Sequence, residues 1–362
     1  MYLDDAGAAS ILPEVTAAVG QAPTGNPSSP HAEGRAARAA LDRARDLAAH
    51  ALGAERSEVT FLSSGTEAVN LALTGVANRL RKHGTIATWA AEHQSVLAVV
   101  RRLQVEGHPV EIAGVDGGAH ADPDSIPSDA ALVSIGLANG EVGTVQPVAD
   151  VIERAHALGA LVHVDACTGP RWIPIPAGAD LVSISGYKLG AGRGGLLLVK
   201  DGVKLDPLFY GGPQEWGRRA GREDVASAVA VATALAVCKR EREERSQQAA
   251  ARSRRLRDAL AEVGGTITGS DRRLPNFATC FFDQRRGEDL VMTLDLAGVA
   301  ASSGSACASG SLDPSHVLLA MGLSLEQALG SLRLTTGYAT TDQESDRACA
   351  IIRSQLSRDH HA

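Results

Sequence analysis

A lysine that follows a short apolar run is the residue on which chemistry in this chain would depend. The run from Leu181 to Ser185 contains β-branched residues and predicts a buried strand. Lys188 follows it, and a glycine-rich stretch then leads into a second apolar run from Leu196 to Val199. An amine held away from water between two buried strands becomes a nucleophile, but most lysines lie at the protein surface. This stretch alone therefore leaves both interpretations open for Lys188.

Polar residues also follow other predicted strands, at the end where open α/β sheets bind their ligands. Asp165 ends one strand, and its carboxylate would be costly to bury without a cation. His93 and Asn139 follow two further strands after short loops, although a lone histidine is by default a surface residue. The turn at Gly65 and Thr66 joins a strand to a helix, where it could either hold a phosphate or form an ordinary helix cap.

Taken together, these residues match what pyridoxal 5'-phosphate (PLP) requires of a protein. Lys188 could form a Schiff base, Asp165 could hold the pyridine nitrogen, and the helix N-terminus at residues 65–66 could bind the phosphate. His93 could stack on the ring, and Asn139 could donate a hydrogen bond to the ring oxygen. Each signal is weak alone, but the set in this order predicts a PLP site.

Strand and helix signals alternate through the first half of the chain. This alternation predicts an α/β fold with a mostly parallel central sheet that helices cover on both faces. A long helical pattern from Ser227 to Val263 leads into a second region, with strand signals at 277–282, 299–302 and 331–335. We therefore expect a large cofactor-binding domain over residues 15–245 and a smaller α+β domain formed by residues 1–14 and 246–362.

Composition narrows the class of protein further. The 362 residues are 44% hydrophobic and 21% charged, which is ordinary for a globular enzyme, and the net charge of -7 does not favour nucleic acid or an anionic membrane. The sequence lacks a long apolar run and a signal peptide, so we expect a cytoplasmic protein without a membrane segment. Its five cysteines are widely spaced and include no CxxC pair, so neither a disulfide framework nor a metal site is expected.

The chain resembles the cysteine desulfurases, which belong to the class V aminotransferases with PLP fold type I. The most specific segments are Ser302-Ser303-Gly304-Ser305-Ala306-Cys307 and the following Leu312-Asp313-Pro314-Ser315-His316-Val317-Leu318. The remaining segments that carry the resemblance are Tyr2-Leu3-Asp4, residues 25–29, residues 64–67, Glu92-His93, residues 139–143, His163-Val164-Asp165-Ala166, residues 185–188 and residues 331–334. The Cys307 loop resembles the branch of the family that serves iron–sulfur cluster assembly.

This resemblance implies a homodimeric, PLP-dependent enzyme that acts on L-cysteine. Cys307 would take the substrate sulfur as a persulfide, with release of L-alanine, and would pass it to a protein acceptor. Lys188 would carry the cofactor and move protons, and His93 would be a further catalytic residue. Arg333 and Asn139 would bind the substrate. The resemblance implies that the cofactor is contacted by Gly65, Thr66, His93, Asn139, Asp165, Thr168, Ser185, Tyr187, Lys188 and Arg222.

Four positions depart from the family pattern, and all four belong to its cofactor-site segments. The family usually has histidine at the position of Tyr187, glutamine at Thr168, asparagine at Gly140 and threonine at Arg222. These departures leave open another PLP reaction, such as that of a selenocysteine lyase, a β-lyase or an aminotransferase. They also leave open a degenerate scaffold in a sulfur-relay complex, although a scaffold needs neither Lys188 nor the other catalytic residues.

Overall fold

The computed structural model describes residues 1–304 and 314–357. Its strands are β1 (Val59–Leu62), β2 (Thr85–Trp89), β3 (Val110–Ala113), β4 (Ala130–Gly136), β5 (Leu161–Asp165), β6 (Leu181–Ser185), β7 (Gly195–Val199), β8 (Thr266–Ile267), β9 (Phe277–Phe281) and β10 (Ser331–Thr335). Its α-helices are α1 (Pro13–Gly20), α2 (Ala32–Leu52), α3 (Gly65–Leu80), α4 (Gln94–Val105), α5 (Val148–Ala157), α6 (Gly186–Leu189), α7 (Val225–Glu262), α8 (Gly287–Leu296), α9 (His316–Ala320), α10 (Leu325–Leu329) and α11 (Asp342–Leu356).

In the described part of the chain, strands β1 to β7 form one sheet in the order β1-β7-β6-β5-β4-β2-β3. Strands β3, β2, β4, β5 and β6 pair in parallel, and β7 pairs antiparallel with both β6 and β1. Strand β1 therefore runs in the same direction as the parallel strands. The predicted α/β fold with a mostly parallel sheet is confirmed, and the carboxyl ends of six strands meet at one edge.

Alternate residues of these strands are buried in two different layers. Val162 and Val164 of β5 pack with α2, α5 and α7, whereas Leu181 of β6 and Leu132 of β4 pack with α3 and α4. Because both faces are covered, most residues of the central strands are buried and apolar. This explains why short apolar runs predicted them well. The buried polar side chains Ser134, His163 and Ser183 on neighbouring strands hydrogen-bond to one another.

A three-stranded antiparallel sheet, β10-β9-β8, forms a second and smaller core. Helix α7 joins the two cores: its first half packs in the core of the large sheet, and Leu256 and Leu260 near its end pack behind the small sheet. The predicted strand at 299–302 was wrong, because Ala300 and Ser302 form only isolated bridges, to Tyr2 and Arg333. The predicted domain boundaries near residues 14 and 245 stay a prediction.

Helix α6 is the single turn that carries Lys188, directly after β6. A Cβ atom at Gly186 would lie only 2.0 Å from the carbonyl oxygen of Arg193, so only glycine allows the strand to turn here. Gly190 ends the turn with a φ of 85°, which also favours glycine.

Among the helices that the structure describes, none is long and apolar enough to cross a membrane.

Candidate active site

A cavity of about 630 Å³ lies where the strand ends meet and the small sheet approaches. Residues that follow β1, β2, β4, β5 and β6 form one wall, and Arg333 of β10 and the N-terminal segment form the other. The charged and polar side chains among its lining residues are Asp4, Thr66, Glu92, His93, Gln94, Ser95, Asn139, Glu141, Gln146, Asp165, Thr168, Ser185, Lys188, Ser315, His316 and Arg333. Most of the predicted site residues are therefore brought together.

Lys188 is half-buried on this wall, and its amine donates to the Thr168 hydroxyl at 3.1 Å. The short turn of α6 projects the side chain into the cavity rather than to the surface. A Cβ atom at Gly140 would lie 3.6 Å from the Lys188 nitrogen and 3.3 Å from the Thr168 oxygen. On one side of the amine, Gly140 has no side chain and leaves space; on the other, the amine is bonded to the Thr168 hydroxyl. This space suits an amine that must form a bond to a carbonyl carbon.

Asp165 ends β5 as predicted and is buried, and its carboxylate accepts the backbone N–H of Cys167 at 2.9 Å. Nearby, the buried carboxyl of Glu92 accepts the N–H of Gly136 at 2.9 Å. Burial, with a further contribution from the charge of Asp165, raises the pKa of Glu92 to about 8. At neutral pH the Glu92 carboxyl therefore holds its proton.

His93 is the N-cap residue of α4, and its Nδ1 accepts the backbone N–H of Ser95 at 3.1 Å. This bond assigns the proton to Nε2. The ring faces the open cavity, yet the cavity walls withdraw it from bulk water, and this desolvation lowers the pKa of His93. The charge of Asp165 opposes the shift, and those of Lys188 and His316 add to it. A neutral imidazole fits the role of a ring that stacks on a cofactor.

The end of β1 and the start of α3 form the predicted phosphate turn. Ser64 caps the helix by accepting the N–H of Glu67, and Gly65, Thr66 and Ser185 line the cavity. A Cβ atom at Gly65 would lie 2.4 Å from the Cys167 sulfur and 3.0 Å from the Ser185 Cβ. Glycine thus keeps this cradle open, and the first helical turn presents N–H groups that suit an anion.

The side-chain amide of Asn139 is held at both ends. Its nitrogen donates to the carbonyl of Ala91 at 2.9 Å, and its oxygen accepts the N–H groups of Glu141 and Val142 at 2.8 and 2.9 Å. These bonds fix which end is the donor. Asn139 therefore presents an oriented N–H₂ group at the cavity wall, as the predicted contact to a ring oxygen or a substrate requires.

Arg333 is buried on β10 and projects into the cavity from the small sheet. One terminal nitrogen donates to the carbonyl of Gly140 at 2.8 Å, and the other donates to the carboxylate of Asp4 at 2.8 Å. The third nitrogen, Nε, is buried and has no hydrogen-bond partner. A buried guanidinium with an unused donor is a candidate for binding a carboxylate ligand.

Two of the predicted site residues that the structure describes, Tyr187 and Arg222, do not line this cavity. The side chain of Tyr187 is 48% exposed and lies outside the lining, because the α6 turn directs it away from the side that Lys188 faces. Arg222 is exposed and also lies outside the lining. Cys307 lies outside the described residues. The contribution of these three residues stays a prediction.

The cavity also contains ionisable residues that sequence reasoning did not assign a role. Glu141 accepts a hydrogen bond from Ser315, and its burial raises its pKa. His316 donates through Nε2 to the carbonyl of Glu92 at 2.9 Å and accepts at Nδ1 from Gln94 at 3.0 Å. Glu141 and His316 both lie within segments that carry the family resemblance, which was the only available signal. No three metal-binding side chains cluster anywhere in the described ranges.

The arrangement fits PLP on four independent counts. A half-buried lysine amine, a buried acid, an open cradle at a helix N-terminus and an oriented amide all face one cavity. The fold and this donor set define a PLP-dependent enzyme of fold type I.

The comparisons with known proteins agree. The model of the class V aminotransferase family matches residues 1–347, and the chain belongs to this family and, within it, to the cysteine desulfurases. It is 37% identical to a cysteine desulfurase of Trichormus azollae over 99% of this chain and 93% of that protein. The solved structure of a NifS-like protein superposes with a TM-score of 0.91, at 30% identity and covering 98% of each chain. That of SspA in complex with cysteine gives 0.81, at 28% identity and covering 94% of this chain and 99% of that one.

Proposed function

We propose that this protein is an L-cysteine desulfurase in which Cys307 receives the sulfur. The overall reaction converts L-cysteine and the Cys307 thiol into L-alanine and a Cys307 persulfide: the substrate carbon–sulfur bond breaks and a sulfur–sulfur bond forms. The observation that carries the proposal is the convergence of Lys188, Asp165 and Arg333 on one cavity. SspA, a structural neighbour of this chain, is described in complex with cysteine.

The side chains divide this work. Bound PLP supplies an electron sink for the substrate Cα. Lys188 takes the Cα proton and returns a proton to carbon, and its hydrogen bond to Thr168 orients the amine for this. Arg333 binds the substrate carboxylate, since its guanidinium offers a planar set of donors. Asp165 keeps the cofactor nitrogen protonated, because a buried negative charge stabilises a proton beside it.

Replacement of Cys307 tests the proposal. Cys307→Ser should lower the rate of alanine production from L-cysteine about a thousandfold or more. PLP should stay bound, with unchanged visible absorbance. Cys349→Ser is the matched control, because Cys349 is buried in α11 of the small core and should not affect turnover. Full alanine production by Cys307→Ser would refute the persulfide step. Release of pyruvate and ammonia instead of alanine would identify a β-lyase.

We also infer that the enzyme is a homodimer in which Arg222 of each copy reaches the partner's phosphate turn. Arg222 is exposed, while the segment before it is fixed to its own chain: Arg218 donates to the carbonyl of Ser57, and Arg219 pairs with Glu67 at 3.3 Å. An arginine held in this way suits an anion on a second molecule. Arg222→Ala should weaken PLP binding without changing the dimer mass in light scattering. A wild-type monomer with full PLP affinity would refute the inference.

The sulfur acceptor is, we propose, a protein that serves iron–sulfur cluster assembly in the cytoplasm. The support is the family resemblance of the segment that carries Cys307 and a set of relatives named cysteine desulfurase IscS. Radiolabelled sulfur from L-cysteine should move from Cys307 to an acceptor protein. Transfer to free thiols alone, at the same rate as to every protein tested, would speak against a dedicated acceptor.

A further inference from the structure

Asp4 lies at a point that the proposed reaction does not use, directly beside the carboxylate-binding arginine. The N-terminal segment runs along β10, with Asp4 bridged to Thr335 and the N–H of Thr335 bonded to the carbonyl of Leu3 at 2.7 Å. Arg333 is two residues earlier on the same strand. The pairing therefore places the Asp4 carboxylate against the guanidinium, where the two groups meet at 2.8 Å.

Gly7 leaves room for this carboxylate on its other side. The chain turns after Asp4, whose carbonyl accepts the N–H of Gly7 at 3.0 Å. A Cβ atom at Gly7 would lie 2.6 Å from an Asp4 carboxylate oxygen, so a side chain at position 7 would displace it. The Asp4 side chain still has 25% of its surface exposed and lines the cavity. Asp4 is therefore a fixed negative charge inside the substrate cavity rather than a sealed structural ion.

Arg333 is already partly satisfied before any substrate enters. Of its three nitrogens, one is bonded to Asp4, one to the carbonyl of Gly140, and only Nε lacks a partner. A substrate carboxylate must then share the single positive charge with Asp4. One carboxylate can be accommodated, because the planar guanidinium has five N–H groups. A second carboxylate on the same small ligand would lie near Asp4 without a cation of its own, and close like charges repel strongly where water is partly excluded.

We propose that Asp4 is a specificity-determining residue: it shares Arg333 with the substrate and so admits amino acids that carry one carboxylate while rejecting dicarboxylic ones. This inference rests on the proposed function only in taking Arg333 as the site of the substrate carboxylate. It extends that function, because it states which amino acids the cavity excludes and by which group.

The test compares two amino acids of the same shape and different charge, L-asparagine and L-aspartate, by titration calorimetry with the purified PLP-loaded enzyme. Wild type should bind L-asparagine more tightly than L-aspartate by about tenfold or more. Asp4→Asn, which keeps an acceptor for Arg333 but removes the charge, should bring the two dissociation constants within about threefold of each other. Asp4→Glu keeps the charge and should retain the wild-type preference for L-asparagine over L-aspartate.

An unchanged preference in Asp4→Asn would overturn the proposal, as would equal binding of the two ligands by wild type. A merely structural role for Asp4 would weaken both ligands together and leave their ratio unchanged. If Asp4→Asn does not fold, Asp4→Ser is measured in its place with the same expectations. The desulfurase proposal fails separately, if wild type binds L-asparagine yet does not produce alanine from L-cysteine.

Discussion

Arg45 and Arg333 are both buried and both pair with a carboxylate, but the two pairs differ in burial and in hydrogen bonding. Arg45 and Glu215 meet through two parallel hydrogen bonds of 2.7 and 2.9 Å, and both side chains are at most 5% exposed. Arg45 also donates to the carbonyl of Val59, and Glu215 accepts the N–H of Phe61. Arg333 instead makes one bond to Asp4, leaves Nε without a partner and faces a cavity.

The pair of Arg45 and Glu215 stabilises the fold, whereas the pair of Arg333 and Asp4 leaves a donor available to a ligand. The Arg45 guanidinium lies over the rings of Phe61 and Trp216, at 5.1 and 5.5 Å from their centres. Glu215 and Trp216 adopt φ values of 48° and 61°, in the left-handed region that non-glycine residues rarely occupy. The satisfied ion pair compensates for this strained turn. By contrast, an incompletely satisfied arginine at a cavity retains donors that a substrate can use.

The largest effect on stability is expected when the ion pair of Arg45 and Glu215 is broken. Arg45→Met removes the cation that is hydrogen-bonded to the buried Glu215 carboxylate, and this should lower the free energy of unfolding by about 3–5 kcal/mol. Denaturant unfolding measures the loss, while the turnover number of the protein that remains folded should stay near that of wild type. A stable Arg45→Met protein with impaired turnover would reverse the roles assigned to the two pairs.

The second-largest effect is expected when Arg333, which pairs with Asp4 at the cavity, is replaced. Arg333→Lys keeps the charge but replaces the planar donor set with a point charge, which cannot reach both Gly140 and a carboxylate. We expect kcat/KM for L-cysteine to fall about a hundredfold, whereas the free energy of unfolding should change by only about 1 kcal/mol. Steady-state kinetics and denaturant unfolding of the same preparation give both values. An unchanged kcat/KM would mean that Arg333 does not bind the substrate.

Glu92 is a third carboxyl to compare with Glu215 and Asp4. It is buried but is bonded to a backbone N–H instead of a guanidinium. Glu92 is held by the N–H of Gly136, and its pKa is raised to about 8 from an ordinary value near 4.5. The folded protein therefore holds this proton more tightly than the unfolded chain, so stability falls as the pH rises from about 4.5 to about 8 and levels off above that pH. Between pH 6 and pH 9 this group should lower the free energy of unfolding by about 2.5 kcal/mol.

Glu92→Gln removes the titrating proton while keeping an acceptor for Gly136. Its melting temperature should therefore fall less between pH 6 and pH 9 than that of wild type, as measured by scanning calorimetry in matched buffers. Parallel pH curves for the two proteins would show that Glu92 does not titrate in this range.

The structure also shows which of these contacts a sequence can predict. Strands β6 and β10 have the bounds that the sequence predicts for them, because every residue of both strands is buried. Lys188 and Asp165 follow from that patterning too, since parallel strands bring their carboxyl ends together. Arg333 did not: it lies inside a strand of the second sheet, and only the family resemblance pointed to it.

The ion pairs could not have been predicted, because each joins distant parts of the chain. Asp4 and Arg333 are 329 residues apart, and Arg45 and Glu215 are 170 residues apart. Local pattern and spacing carry no information about such contacts, which depend on how the N-terminal segment and the turn near residue 215 dock on other elements. The family resemblance assigned Tyr187 to the cofactor site, and its role stays a prediction. Tyr187 does not line the cavity, because consecutive residues of a helical turn point in different directions.

The smallest effect is expected for a pair on the surface. Arg56 and Asp42 approach to 2.7 Å, as closely as Arg45 and Glu215, but their side chains are 44% and 36% exposed. Water already solvates both charges, so Arg56→Ala should change the free energy of unfolding by about 0.5 kcal/mol, and added salt should remove even this difference. Denaturant unfolding at low and high salt measures it. A loss as large as that of Arg45→Met would show that short distance, rather than burial and complete hydrogen bonding, governs the strength of these pairs.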